Sequence, residues 1–139
     1  MDKIEKISRD FALIKDIALE AAFDSGIDPV RCHEMARLIN AGMRMTGYQS
    51  KVKDGIRFLE GIHMKHSWVE IPGSFGMLNG MLLDFSFGNF RSLRYPRSGH
   101  SEIISGWFNL RRYKHKRISY DLAPGVDDLA RKLFEPIII

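Results

Sequence analysis

The chain has 139 residues, 45% hydrophobic and 27% charged, and 21 Lys and Arg against 17 Asp and Glu give a net charge of +4. That length makes one domain, residues 1–139, the simplest organisation and is enough to bury a core without staples. The single cysteine, Cys32, excludes an intramolecular disulfide, and no apolar run reaches the length of a membrane span. The opening Met1-Asp2-Lys3-Ile4-Glu5-Lys6 has no apolar core behind its charges and does not read as a signal peptide. A soluble, cytoplasmic protein with no membrane association is therefore expected. The modest positive charge permits an acidic partner without requiring one.

The first element is an amphipathic helix from about Ile4 to Ala22, with Ile4, Ile7, Phe11, Ile14, Ala18 and Ala22 near one stripe. Asp24-Ser25-Gly26 ends it. Asp28-Pro29 is a helix start, with Asp as N-cap and Pro at the first position. That second helix runs to about Met43. It carries Cys32, Met35, Ala36, Ile39 and Met43 on one face, and Arg31, Glu34, Arg37 and Arg44 mainly elsewhere. Cys32 thus falls in the first turns of a helix.

Tyr48 to Val52 alternates as a strand does, with Asp54-Gly55 as the turn after it. Arg57 to Met64 fits a strand or a short helix. Two alternating runs follow: His66-Ser67-Trp68-Val69-Glu70-Ile71 and Leu82-Leu83-Asp84-Phe85-Ser86-Phe87. Between them lie the turn formers Pro72, Gly73, Ser74, Gly76, Asn79 and Gly80. As an antiparallel pair with His66 opposite Asp84, these strands put His66, Trp68 and Asp84 on one face. After Gly88 come Arg91, Arg94 and Arg97, then an apolar stretch from Ser101 to Leu110. The basic run Arg111-Arg112-Tyr113-Lys114-His115-Lys116-Arg117 follows, and a last helix from Asp127 to Phe134.

This arrangement offers thiol chemistry. A helix N-terminus and a neighbouring histidine both favour a thiolate, the form that attacks carbonyl carbon. Cys32 has the first and His66 supplies the second. Asp84 would accept the other imidazole N–H and fix the tautomer. Free backbone N–H groups at the helix start would hold an oxyanion. Trp68, beside His66, is the expected wall of the substrate cleft. Glu70 and Asn89 are the next residues to test if Asp84 does not serve. Taken alone, a cysteine on an apolar helix face is more often a small core residue than a nucleophile.

Cys32 opening a helix, then His66-Ser67-Trp68-Val69-Glu70 on a strand and Leu83-Asp84 on the next, resembles the transglutaminase-like branch of the papain-like thiol enzymes. Asp84-Phe85-Ser86-Phe87-Gly88 is also similar to the run carrying the third member in arylamine N-acetyltransferases, with one residue more. The likeness covers about residues 28–88. It departs from the family in Arg31 before the cysteine, in His33 after it, and in Phe85 where Pro is common. It implies an α+β fold, a nucleophile helix packed on a mainly antiparallel sheet, with 89–139 as a basic C-terminal extension. It implies an amide hydrolase or acyl transferase with catalytic Cys32, His66 and Asp84. Proteases, glutamine transamidases, deamidases and the peptidases that mature lasso peptides belong to that superfamily. Substrate would be a protein or peptide, with an acidic one suited to the charge.

Three other readings stand beside this one. His33-Glu34 begins the zinc pattern His-Glu-x-x-His, but Arg37 occupies the second His position. Cys32, His63 and His66 would make a three-ligand zinc set, though the His63–His66 spacing is unsuited to a strand. The thiol reading calls for no metal and no cofactor. The basic run, with Tyr113 inside it, suits phosphate contact and base stacking in a non-catalytic relative that binds nucleic acid or an acidic protein. No recognised nucleic-acid motif frames it, so a solvated edge is favoured.

Overall fold

The computed structural model describes residues 3–28, 30–59, 61–72, 80–86, 100–105 and 107–134. Helix α1 spans Lys3–Asp24. It buries Ile7, Phe11, Ile14, Ala18 and Ala22 along one stripe, while Ile4 at its start is exposed. The chain then turns at Gly26, where Gly26 and Ile27 donate back to the carbonyls of Phe23 and Ala22.

Helix α2 spans Cys32–Met45, so it begins later than Asp28-Pro29 implies; Pro29 lies outside the described residues. Glu34 sets the start. Arg31 occupies the N-cap in extended backbone, and its N–H donates to Glu34 Oε1 at 2.9 Å. That is the return half of a capping box. The Arg31 guanidinium closes on the same carboxylate at 3.1 and 2.8 Å, and Ala123 N–H donates to it at 3.0 Å. Glu34 is therefore fully buried instead of lying off the apolar face. A carboxylate can be buried only when paired and hydrogen-bonded, and these donors meet that condition.

Strands β1, Lys51–Leu59, and β2, Ile62–Ile71, form an antiparallel hairpin. β1 runs straight through Asp54-Gly55, where a turn is expected from sequence. Gly55 serves close approach instead: a Cβ there would run into the Lys114 carbonyl oxygen and stand 2.8 Å from the Trp68 ring. The remaining elements are β3, Met81–Ser86, β4, His100–Ser105, α3, Trp107–Leu110, β5, Tyr113–His115, and α4, Val126–Phe134. The sheet order is β4-β3-β2-β1-β5, and every pairing is antiparallel. The architecture is α+β. Residues beyond 88 supply both sheet edges and a helix that packs on α2. Residues 87–99, with Asn89, Arg91, Arg94 and Arg97, lie outside the described residues.

Val69, Ile71, Met81, Leu83 and Phe85 join the helix residues in the core. Alternate positions face the other way, and these include His66, Trp68 and Asp84. β2 and β3 pair as Val69↔Leu83, Glu70↔Leu82 and Ile71↔Met81. This register is shifted by two from one that sets His66 opposite Asp84. An even shift keeps each side chain on its face, so the two residues still meet, on a diagonal. Among the described residues the ladder stops at Val69↔Leu83, and beyond it β2 continues on β1 while β3 continues on β4. No described helix is long and apolar enough to cross a membrane.

Gly55→Ala is expected to destabilise the fold by roughly 1–3 kcal/mol, since one of the atoms that must give way is backbone. The urea midpoint should fall accordingly. An unchanged midpoint would mean that β5 does not pack against β1 in this way.

Candidate active site

Cys32 is the first residue of α2 and is partly exposed. The first intrahelical bond is Met35 N–H to the Arg31 carbonyl, at 3.0 Å. The N–H groups of Cys32, His33 and Glu34 therefore have no acceptor within the helix and carry the positive end of its dipole. Neighbouring residues at a helix start project in different directions, and here each meets a different face of β2. His33 reaches Ser67, with Nδ1 to Oγ at 2.6 Å. Cys32 lies within electrostatic reach of His66, whose ring belongs to the opposite face. One helix end can touch both faces because the β2–β3 ladder stops there.

His66 and Asp84 are 3% and 4% exposed, so their contact is made out of water. The His66 Nε2–H donates to Asp84 Oδ1, which leaves Nδ1 as the ring nitrogen available to Cys32. Two residues absent from the sequence-based triad complete the carboxylate's environment. Tyr113 O–H donates to Oδ2, and the Arg57 guanidinium stands 3.3 Å from the same oxygen. No periodicity links Arg57 or Tyr113 to Asp84. They arrive from β1 and β5 through sheet register alone, and only the cost of an unpaired buried carboxylate signals that such donors are needed.

Trp68 is buried, at 2% exposure. Its ring meets Tyr113 edge-on at 5.2 Å and lies 6.3 Å from the His66 ring. It backs the cluster more than it faces solvent. With Tyr113, Glu70, Leu82, Leu110 and Arg111 it also lines a cavity of about 340 Å³ on the sheet face opposite α2, beside the end of α3. Tyr113 is half-buried, with its hydroxyl committed to Asp84. His63 packs on Phe58 at 4.5 Å and is exposed. No cluster of three or more potential metal ligands occurs among the described residues.

The electrostatics follow from these contacts. Burial pushes the Cys32 thiol up, but hydrogen bonds and positive charge from His33 and His66 outweigh it and bring it to about 6. Burial pushes His66 down, but Asp84 and the Cys32 sulfur raise it to about 9. Burial raises the Asp84 carboxyl, while His66, Tyr113 and Arg57 more than offset this and hold it below the ordinary carboxylate range. Burial and the Asp84 charge raise Tyr113, so it remains a neutral donor. Both shifts favour a thiolate on Cys32 beside an imidazolium on His66. A thiolate so placed is a nucleophile, and the imidazolium is the acid beside it.

Comparison with family models, with curated proteins and with solved structures returned no match.

The alkylation rate of Cys32 should rise with pH through an apparent pKa near 6, well below the reference of about 8.5. A haloacetamide rate profile measures it, and a midpoint at the reference value would mean that the thiol is not activated.

Proposed function

We propose that the chain is a cysteine-dependent amide hydrolase or acyl transferase acting on a peptide bond or a glutamine side chain. The observation carrying this reading is a thiol at the first position of a helix, within electrostatic reach of an imidazole whose Nε2 donates to a buried, ion-paired carboxylate. The likeness of His66-Ser67-Trp68-Val69-Glu70 and Leu83-Asp84 to transglutaminase-like enzymes supports the same reading, and with it a papain-like arrangement of helix and sheet.

Each step has a group to perform it. The Cys32 thiolate attacks the carbonyl carbon and forms an S–C bond. The developing oxyanion is met by the free N–H groups at the start of α2. The imidazolium gives its proton to the leaving amine as the C–N bond breaks. Neutral His66 then takes a proton from water or from an acceptor amine, which attacks the thioester and releases the thiolate. Asp84 keeps Nε2 protonated throughout, so that Nδ1 exchanges the proton. The cavity beside Trp68 and Tyr113 is the expected resting place of a substrate side chain. Lys114, Lys116 and Arg117 are exposed on and after the edge strand β5, where charge blunts edge pairing and draws in an acidic peptide.

Turnover of acyl substrates such as peptide amides, glutamine amides and thioesters tests the reading. Cys32→Ser should abolish it while leaving the melting transition in place, because a hydroxyl is far less ionised than a thiol. Asp84→Asn should lower kcat by about two to four orders of magnitude, because the amide can hold His66 in the wrong tautomer. Full turnover in Asp84→Asn would remove Asp84 from the mechanism.

A further inference from the structure

We propose that the outer part of the face formed by β5, β1 and β2 docks an acidic amphipathic helix of a protein substrate. Its role in substrate capture rests on the reading of Cys32 as nucleophile, whereas the docking itself does not.

The strand registers build this surface. Residues paired across neighbouring strands put their side chains on the same face. Ile56 is paired with Lys65 of β2 and with Lys114 of β5, so one row across the sheet reads Lys114, Ile56, Lys65. The next row outward reads Arg112, Phe58, His63. Phe58 is paired with His63, their rings meet edge-on at 4.5 Å, and the Phe58 N–H donates to the Arg112 carbonyl at 2.7 Å. On the inner side the row is Lys116, Asp54, Ser67, with the Lys116 N–H donating to the Asp54 carbonyl at 3.1 Å. Tyr120 closes that inner row, because its O–H donates to Asp54 and its ring stacks on His33. The two outer rows lie past the level at which His33, near the start of α2, meets Ser67. There Ile56 and Phe58 are half-buried, and Arg112, Lys114, His63 and Lys65 are exposed.

The result is an apolar stripe, Ile56 and Phe58 on β1, between two basic rails. Neither outer row holds a carboxylate. Among the described residues Lys65, Arg112, Lys114 and Lys116 make no ion pair and no side-chain hydrogen bond. A solvated edge needs charge but no apolar stripe between the charges. Neighbouring strands stand about 4.8 Å apart, so rails on either side of β1 are about 10 Å apart. That matches the width of an α-helix with its side chains, about 10–12 Å. A helix laid along β1 with apolar residues at i, i+3 and i+4 covers Ile56 and Phe58 and brings acids from both its flanks onto the rails. An extended peptide presents a single file of side chains, so it meets the stripe or a rail but not all three. Phosphates suit the rails, but a nucleic acid has no apolar side chain to cover Ile56. The open surface ends one row, about 7 Å, from Ser67, which contacts His33, the residue after Cys32. Chain leaving the docked helix is thus delivered toward the thiol.

The test is fluorescence anisotropy of a labelled synthetic helix titrated with the full chain at low salt. The probe has about four turns, a leucine stripe and glutamates on both flanks. A control peptide has the same composition with leucines and glutamates scrambled round the helix. The probe should bind at least about tenfold more tightly than the control. Lys65→Glu and Lys114→Glu, one from each rail, should each weaken it about three- to tenfold, and Phe58→Ser about tenfold. Far-UV circular dichroism is the fold control, and the two reversals at exposed positions carry the test if Phe58→Ser does not fold. No binding of the probe, equal binding of the scrambled control, or binding indifferent to both reversals would overturn the proposal. So would tighter binding of oligothymidylate or of phosphatidylserine vesicles, lost in the same reversals, which would give the face to nucleic acid or to a membrane. The function reading fails separately: probe binding that depends on both rails, in a chain that turns over no acyl substrate, would refute the enzyme and leave the docking surface standing.

Discussion

The buried bond from His66 to Asp84 is the interaction on which the rest of the site depends. A carboxylate taken out of water costs several kcal/mol unless it is paired and its lone pairs are used. At Asp84 the donors are an imidazole from β2, a guanidinium from β1 and a phenol from β5. The cluster therefore ties all but one strand of the sheet to one side chain. It also orients the imidazole, since Nε2 is committed to Asp84 and only Nδ1 remains for chemistry. Gly55 belongs to the same design, because its missing Cβ lets the Trp68 ring and the β5 backbone lie close beneath Tyr113.

The other half of the geometry is the placement of one helix end. Arg31 offers no side-chain oxygen to cap α2, so the start is fixed by Glu34 reaching back to the Arg31 N–H and across to Ala123. This anchors Cys32 as the first helical residue and ties the segment before α4 to the site. Because the β2–β3 ladder ends at the same level, the first two residues of the helix can address opposite faces of β2. Thiol, imidazole and carboxylate then come from three elements whose relative positions are set by packing away from the chemistry, as preorganisation requires.

Much of this was legible in the residues. The stripes of α1 and α2 gave their buried faces, and the two alternating runs put His66 and Asp84 on one face. Parity is robust: a register error of two leaves every side chain on its face, whereas an error of one would have separated the pair. The exact register was not legible, because the turn-rich segment between the strands has no length that fixes it. Gly55 was misread because a glycine after an aspartate signals a turn locally, and the atoms that need its missing Cβ come from β2 and β5. Glu34 read as a surface residue by periodicity, although its position three residues after Arg31 is that of a capping-box acid. Tyr113 read as part of a solvated basic edge, with stacking as the alternative, because its neighbours are basic. Its true partner, Asp84, is 29 residues away, and no local pattern carries that information. His33 drew attention as part of a failed zinc motif and as a departure from the family pattern, and Ser67 only as the residue between His66 and Trp68.

The central claim is that Cys32 and His66 form a thiolate–imidazolium pair held by Asp84. The most direct measurement is the protonation state of the His66 ring by nitrogen-15 NMR, in the native chain and in Cys32→Ala. The account predicts both ring nitrogens protonated at pH 7.5 in the native chain, with deprotonation only near pH 9. It predicts a lower midpoint once the sulfur is gone, because the thiolate is one of the two charges that raise it. A neutral His66 at pH 7.5, with a midpoint indifferent to the loss of Cys32, would contradict it.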